Sequence, residues 1–416
     1  MLPKATPEQR PLSDDTGPED LDRAPAEARS FAPTERRIRG LESLDAYLPS
    51  AWDRIDEHEV IRLAGSAEAA RPEISADEAA ARRALIVIPC LNEEAVIRQV
   101  IQQVLSDEGL VDPLVLVADG GSTDRSRQIV AEIAAVDPRV RLLANPARLQ
   151  SAGMNLAARV MGGDRPWLVR VDAHADYPKN YASTLIAEAR RTGADSVVVS
   201  MDTRGEGFFQ RAVAVAQNSV LGTGGSAHRL ASEGQWVDHG HHALFSLDAY
   251  QAVGGYDESF SHNEDAELDL RLAGHGGRIW LTDKVRIGYY PRSTPGALWK
   301  QYFSYGKGRA RTVLKHYTPL KIRQTLPLAV APAVASAALA PFFWAFAIPA
   351  VMWMLAALSF GVLLGVRKRE AAAFLSGPAA MIMHLAWSAG FWAQLATWRS
   401  DRSSPGRPEL AQVEAA

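Results

Sequence analysis

The sequence is poor in the features that mark several protein classes. It holds one cysteine, Cys90, which excludes an intramolecular disulfide framework and a cysteine-rich zinc site. It has no surplus of basic charge. The formal net charge is −3, which gives no broad positive field for nucleic acid, and no nucleic-acid partner is expected. Met1 to Arg10 lacks the basic-then-apolar pattern of a secretory signal, so the chain ahead of its first apolar span is expected not to be exported. No Gly-Lys-Ser/Thr follows the glycines at 120–121, and no Gly-x-Gly-x-x-Gly follows the first strand-like run. A Walker loop and a dinucleotide fingerprint are therefore absent.

What is present falls into zones. Residues 1–83 are rich in Pro, Ala, Asp, Glu and Arg and poor in aromatics, so they can bury little apolar surface. They are expected to be a largely disordered extension. Residues 84–320 alternate short apolar runs with helix-like stretches. The runs are Ala84–Ile88, Leu114–Val117, Val140–Leu143, Trp167–Val171 and Ser196–Val199. The stretches between them are Glu93–Leu105, Asp124–Ala135, Ala152–Val160 and Asn180–Arg190. This alternation predicts an α/β domain with a mostly parallel sheet, Rossmann-like, covered by helices on both faces. Ligands of such sheets bind beyond the carboxyl ends of the strands. The glycine-rich Gly222–His228 segment reads either as a mobile acceptor loop or as an ordinary surface loop.

Residues 326–398 form the apolar part, followed by a tail, 399–416. Leu326 to Val366 runs without one Asp, Glu, Lys or Arg. A spanning helix needs about 20 apolar residues, so the run has room for two, with a turn expected near Pro349. Arg367-Lys368-Arg369 interrupts it, and Ala371–Trp398 reads as a third span or a re-entrant segment. Lys315, Lys321 and Arg323 precede the first span. Positive clusters favour the cytoplasmic side. The expectation is two to three transmembrane helices with residues 84–320 in the cytoplasm.

Five segments can carry chemistry. Pro89-Cys90-Leu91-Asn92-Glu93-Glu94 follows the first run, where Asn92 can cap the next helix. Asp119-Gly120-Gly121-Ser122 follows the second. There a carboxylate at a strand end can accept a hydrogen bond from a base or ribose, and it can equally shape a simple βα turn. Asp172-Ala173-His174-Ala175-Asp176 follows the fourth. In an extended chain alternate residues share a face, so Asp172, His174 and Asp176 would project together. Two carboxylates and an imidazole suit Mn²⁺ or Mg²⁺, with a diphosphate completing the coordination. Glu264-Asp265 lies at a predicted helix start, where Asp265 can act as general base on a hydroxyl. In Trp299–Arg311, aromatics interleave with cations, including Lys307 and Arg309. That pattern fits an amphipathic interfacial helix, a diphosphate clamp, or both.

Together these segments resemble the family 2 glycosyltransferases. The resemblance covers about Ala84 to Lys315 and implies a GT-A fold and inversion at the anomeric carbon. The family's Asp-Asp-Gly-Ser turn is similar to Asp119-Gly120-Gly121-Ser122, with Gly for the second Asp. Its Asp-x-Asp is similar to Asp172-Ala173-His174, and its Glu-Asp motif to Glu264-Asp265. The processive members' Gln-x-x-Arg-Trp is replaced by Gln301–Lys307, which argues against processive polymer synthesis. Val237–Gly240, Gly254–Glu258 and Tyr305–Gly308 narrow the resemblance to bacterial succinoglycan-type exopolysaccharide transferases.

The resemblance implies that Pro89, Asn92, Glu93 and Asp119 hold the nucleoside, with uridine expected. Asp172, His174 and Asp176 would hold metal and diphosphate, with Lys307 and Arg309 as further donor-site cations. Glu264 and Asp265 would be catalytic. The expected acceptor is a polyprenyl-diphosphate-linked saccharide, and the expected location is the bacterial inner membrane. A polyprenyl-phosphate glycosyltransferase and a non-catalytic membrane scaffold are the competing readings.

Overall fold

The computed structural model describes residues 74–224, 233–320 and 322–401. Residues 1–73, part of the Gly222–His228 segment, Lys321 and residues 402–416 lie outside the described residues. The described residues begin ahead of Ala84. Ala76–Ala81 is a helix capped by Ser75. Glu78 ties it to Arg82 and Arg190, and Trp167 Nε1 donates to the Ala81 carbonyl.

The five apolar runs become β1 (Ala84–Cys90), β2 (Leu114–Asp119), β3 (Val140–Ala144), β4 (Trp167–Arg170) and, after the short β5 (Ala175–Asp176), β6 (Ser196–Thr203). β7 (Gln235–Val237), β8 (His241–Ser246) and β9 (Ile279–Tyr289) have no counterpart among the predicted runs. The sheet order is β3-β2-β1-β4-β8-β6-β9-β5, with β7 also on β9. Most of the pairing is parallel, as expected. β8 lies antiparallel between β4 and β6, and β5 and β7 run antiparallel to β9.

The pleat explains why the apolar runs are continuous. Ile86 and Ile88 enter one core, with Ile97, Ile101, Val130 and Leu185 from covering helices. Leu85 and Val87 enter the opposite core, with Met154, Leu156, Phe245 and Tyr250. A strand covered on both faces leaves no room for polar alternation. β1, β2 and β4 run parallel, and the residues that follow them line one rim of the sheet.

After β9 the chain enters a long helix, Pro295–His316, started by Thr294, whose hydroxyl accepts from Ala297 N. This helix lies between two others. Gly306 sits against the backbone of Trp387 and Phe391, on the final helix Ser376–Asp401. Gly308 sits against His262 and Asn263, just ahead of the helix Glu264–Gly274. Two residues apart on a helix is roughly 200°, so these glycines face opposite sides. We expect Gly306→Leu to lower the melting temperature in detergent by an amount matching about 1–3 kcal/mol of overpacking. An unchanged melting point would contradict this close helix crossing.

The apolar part differs from the expectation in one detail. Its turn lies near residues 340–343, between the 3₁₀ turns Ala337–Leu339 and Trp344–Ala347. Pro349 instead occupies the first turn of the helix Ile348–Lys368, where its missing N–H breaks no hydrogen bond. Trp344–Lys368 and Ala371–Trp398 are long and apolar enough to cross a membrane. The first exposes Phe346, Met352, Leu355 and Val366. The second is half-buried, with Ala379, Ala380 and Met383 packed on Val213, Ala216 and Leu298.

Candidate active site

Two turns meet at the carboxyl ends of β1 and β2. Asn92 takes a left-handed φ of 59°, and its Oδ1 accepts from Thr123 N at 2.8 Å. Its own N–H donates to Ser122 Oγ at 2.9 Å, and Glu93 N donates to Ser126 Oγ at 2.7 Å. Asn92 thus bridges two turns and does not cap a helix, because the following helix starts only at Ile97. Asp119 is buried. Its carboxylate accepts from Gly121 N at 3.0 Å and Ser122 N at 3.2 Å, so it shapes its own turn. Gly121, at φ 88°, supplies the left-handed residue that this turn requires. Pro89 is the penultimate residue of β1, opposite Ala118, and Cys90 ends the strand opposite Asp119.

Arg170, the last residue of β4, organises the site. It is buried at 6% exposure, and its Nε donates to Asp172 Oδ1 at 3.0 Å. Its Nη1 donates to Asp265 Oδ1 at 2.8 Å and lies 4.0 Å from Glu264 Oε1. Tyr256 completes the set, donating from its hydroxyl to Asp265 Oδ1 at 2.9 Å. One guanidinium therefore joins the carboxylate after β4 to the carboxylates of the Glu264–Gly274 helix. Asp172 also accepts from Gln150 Nε2 at 3.1 Å, and His241 Nε2 lies 3.6 Å from its other oxygen.

The electrostatics follow from this crowding. Burial pushes the Asp172 carboxyl up, but the charges of Arg170 and His241 outweigh it and hold the group below its usual value. Burial, and then the neighbouring Asp265 charge, push Glu264 up to about 7. The hydrogen-bonded Glu93 carboxylate, 3.3 Å away, raises the His174 imidazole against the opposing effect of burial.

The expected ligand triad divides. Residues 173–174 form a turn, closed by the Tyr177 hydroxyl on Asp172 N at 2.6 Å. Strand alternation therefore fails there, and Asp176 points elsewhere, accepting from Tyr290 Oη at 3.0 Å. Asp172 and His174 remain electrostatic neighbours beside Glu93. Among the described residues no group of three or more His, Cys, Asp or Glu is arranged to hold a metal ion. Of the three expected ligands, Asp172 and His174 are the two whose donor types, a carboxylate and an imidazole, would suit a divalent cation completed by substrate oxygens. Lys307 is exposed on the long helix, and the cations acting most strongly on Asp172 and His174 are Arg170, His241 and Arg292. Neither Lys307 nor Arg309 is among them.

Arg170, Tyr256, His241 and Gln150 escaped sequence reasoning. Arg170 did leave a signal, as a charge inside an otherwise apolar strand. His241 left none, because β8 pairs antiparallel and carries no long apolar run.

A GT-A sheet with acidic residues gathered at its carboxyl rim defines a glycosyltransferase. The chain belongs to glycosyltransferase family 2: the family described as "Glycosyl transferase family 2" matches residues 85–254, and a full-length relative supports it. That relative is the succinoglycan biosynthesis protein ExoA of Rhizobium meliloti (strain 1021), 50% identical over 326 residues, covering 78% of this chain and 99% of the relative. A second is a dolichyl N-acetyl-alpha-D-glucosaminyl phosphate 3-beta-D-2,3-diacetamido-2,3-dideoxy-beta-D-glucuronosyltransferase of Methanococcus voltae. It is 24% identical over 246 residues, covering 56% of this chain and 74% of that one. In fold the chain is similar to the mannosyltransferase PcManGT from Pyrobaculum calidifontis, solved with GDP-Man and Mn²⁺. The TM-score is 0.51 at 19% identity, over 81% of this chain and 93% of that one.

Proposed function

We propose that this glycosyltransferase moves a sugar from a nucleotide-sugar donor to a polyprenyl-diphosphate-linked saccharide, with inversion, during bacterial exopolysaccharide assembly. The observation that carries the reading is the shared guanidinium of Arg170, 3.0 Å from Asp172 and 2.8 Å from Asp265. It brings a donor-side carboxylate and an acceptor-side carboxylate to one rim. The similarity to ExoA over nearly its whole length supports the exopolysaccharide assignment, and the Methanococcus relative's name supports a lipid-linked sugar acceptor.

In this reading Asp265 accepts the proton of the acceptor hydroxyl. The freed oxygen forms the new bond at the anomeric carbon, and the bond from that carbon to the diphosphate oxygen breaks on the opposite side. The nucleoside diphosphate leaves with the electron pair, so one displacement inverts the centre and no covalent enzyme intermediate is needed. The stapled turns at 89–94 and 119–124 form the wall for the nucleoside, with uridine as the expected base. Mn²⁺ or Mg²⁺, held by Asp172 and His174, would neutralise charge on the departing diphosphate.

Two features support a membrane location with the catalytic domain in the cytoplasm. The structure has two helices of spanning length. Glu370, next to the Arg367–Arg369 cluster, pairs with Arg211 of the catalytic domain at 3.5 Å. That contact supports a positive cluster and a catalytic domain on the same, cytoplasmic side, in line with the charge rule.

The test is to offer labelled UDP- and GDP-sugars with membrane lipid extract to purified full-length protein. One donor is expected to label the lipid fraction. Chelator should abolish labelling, and Mn²⁺ or Mg²⁺ should restore it. No labelling with any donor would sink the reading, and full labelling in chelator would remove the metal from it.

A further inference from the structure

We propose that Arg292 binds the diphosphate of the donor. This inference rests on the donor-transfer reading above and adds a residue to it.

Arg292 lies in the short connector between β9 and the long helix Pro295–His316. The connector backbone is fixed on both sides of it. Tyr290 Oη donates to Asp176 Oδ2 at 3.0 Å, and the carbonyl of buried Pro291 accepts from Gln210 Nε2 at 2.7 Å. On the other side, Thr294 Oγ1 accepts from Ala297 N at 3.3 Å. Arg292 itself is exposed and makes no hydrogen bond or ion pair with any described residue.

Its surroundings place it at the site mouth. Tyr290 reaches Asp176, two residues beyond His174, while the long helix presses Gly308 on His262 and sets the Tyr305 ring 6.1 Å from the His262 ring. The β5–β9 register, with Ala175 opposite Tyr289 and Asp176 opposite Gly288, carries the connector past the β4 turn, and the helix that follows it packs on the loop that leads into Glu264.

Charge balance says what such a cation is for. Asp172, Glu264 and Asp265 gather around one buried cation, Arg170, which is already engaged by these carboxylates, while Glu93 faces His174. A diphosphate entering that rim meets negative charge and needs a further positive partner. Arg292 offers a planar fork of unused N–H donors, a geometry that matches phosphate oxygens. A lipid-linked acceptor also carries a diphosphate. The donor is assigned because the β5–β9 register runs the connector beside the 172–176 segment, which belongs to the proposed donor side.

The test uses full-length protein in detergent and compares the binding of UDP and GDP with that of UMP and GMP. Wild type should prefer the diphosphates. Arg292→Ala should weaken nucleoside diphosphate binding by about 10-fold, the size of one charge-assisted contact. Monophosphate binding and melting temperature should stay unchanged, and Arg292→Lys should keep part of the preference. A residue with only a structural role would weaken both nucleotide classes together. Unchanged diphosphate affinity in Arg292→Ala overturns the inference and leaves the donor reading standing. A rise confined to the KM of the lipid-linked acceptor also overturns it, by moving the arginine to the other diphosphate. Wild type that binds none of the nucleotides would sink the donor reading itself.

Discussion

Asp265→Asn should cut turnover by about 10²–10⁴, the range for removing a general acid–base group, while leaving donor affinity intact. The side chain sits in the first turn of its helix, after Asn263 in a left-handed conformation at φ 66°. Its Oδ1 accepts from Arg170 and Tyr256. An asparagine oxygen can keep both contacts, so the pocket should hold its shape. What the amide loses is the ability to take a proton. The measurement is kcat for transfer alongside direct donor binding in the same preparation. Full activity in the variant would end the base assignment. It would also favour an acceptor that needs no deprotonation, a lipid phosphate. Glu264 is the informative control. Pushed up to about 7 by burial and by the Asp265 charge, it holds its proton below that pH and loses it above. With Asp265 neutral, Glu264 should titrate lower, which separates the two carboxylates in a pH profile.

Arg170→Met should both unfold the rim and abolish transfer. Removing one partner of a buried ionic cluster costs about 3–5 kcal/mol because the remaining charges lose their counterion. The lower end applies, since Asp172 and Asp265 keep 22% and 18% side-chain exposure. In a domain of this size that corresponds to a melting temperature lower by on the order of 10 °C. Arg170→Lys retains a charge but cannot reach three carboxylates with one fork, so it should fall between wild type and Arg170→Met. A melting point unchanged in Arg170→Met would show that the cluster does not depend on this guanidinium.

The parallel half of the fold was legible because buried strands demand unbroken apolar runs. Ala84–Ile88 and Leu114–Val117 could hardly be anything else, and the helices between them matched closely. β8 and β9 escaped because their positions depend on long-range pairing. β8 inserts antiparallel between β4 and β6, a choice made by tertiary packing rather than by local pattern. The site shows the same division. Asp172, Glu264 and Asp265 could be picked out by their places after a strand or at a helix start. Arg170 showed only as a charge in an apolar strand, and its role in joining them stayed hidden, since its partner Asp265 is distant in sequence. Alternation misled at Asp176, where a turn replaces extended chain, and the helix-cap reading misled at Asn92, whose side chain serves a neighbouring turn. Pro349 marked a helix start instead of a bend.

The paired glycines of the long helix bear on how the enzyme can be handled. Gly306 presses on the last apolar helix, and Gly308 presses on the loop that leads to Glu264 and Asp265. A soluble fragment ending near residue 320 would strip one of those supports and leave Leu298, Val213 and Ala216 facing water. Such a truncation should aggregate or fray beside Glu264. Enzymology on this protein therefore calls for the intact chain in detergent or lipid nanodiscs, because the hydrophobic end packs against the catalytic domain and helps to build it.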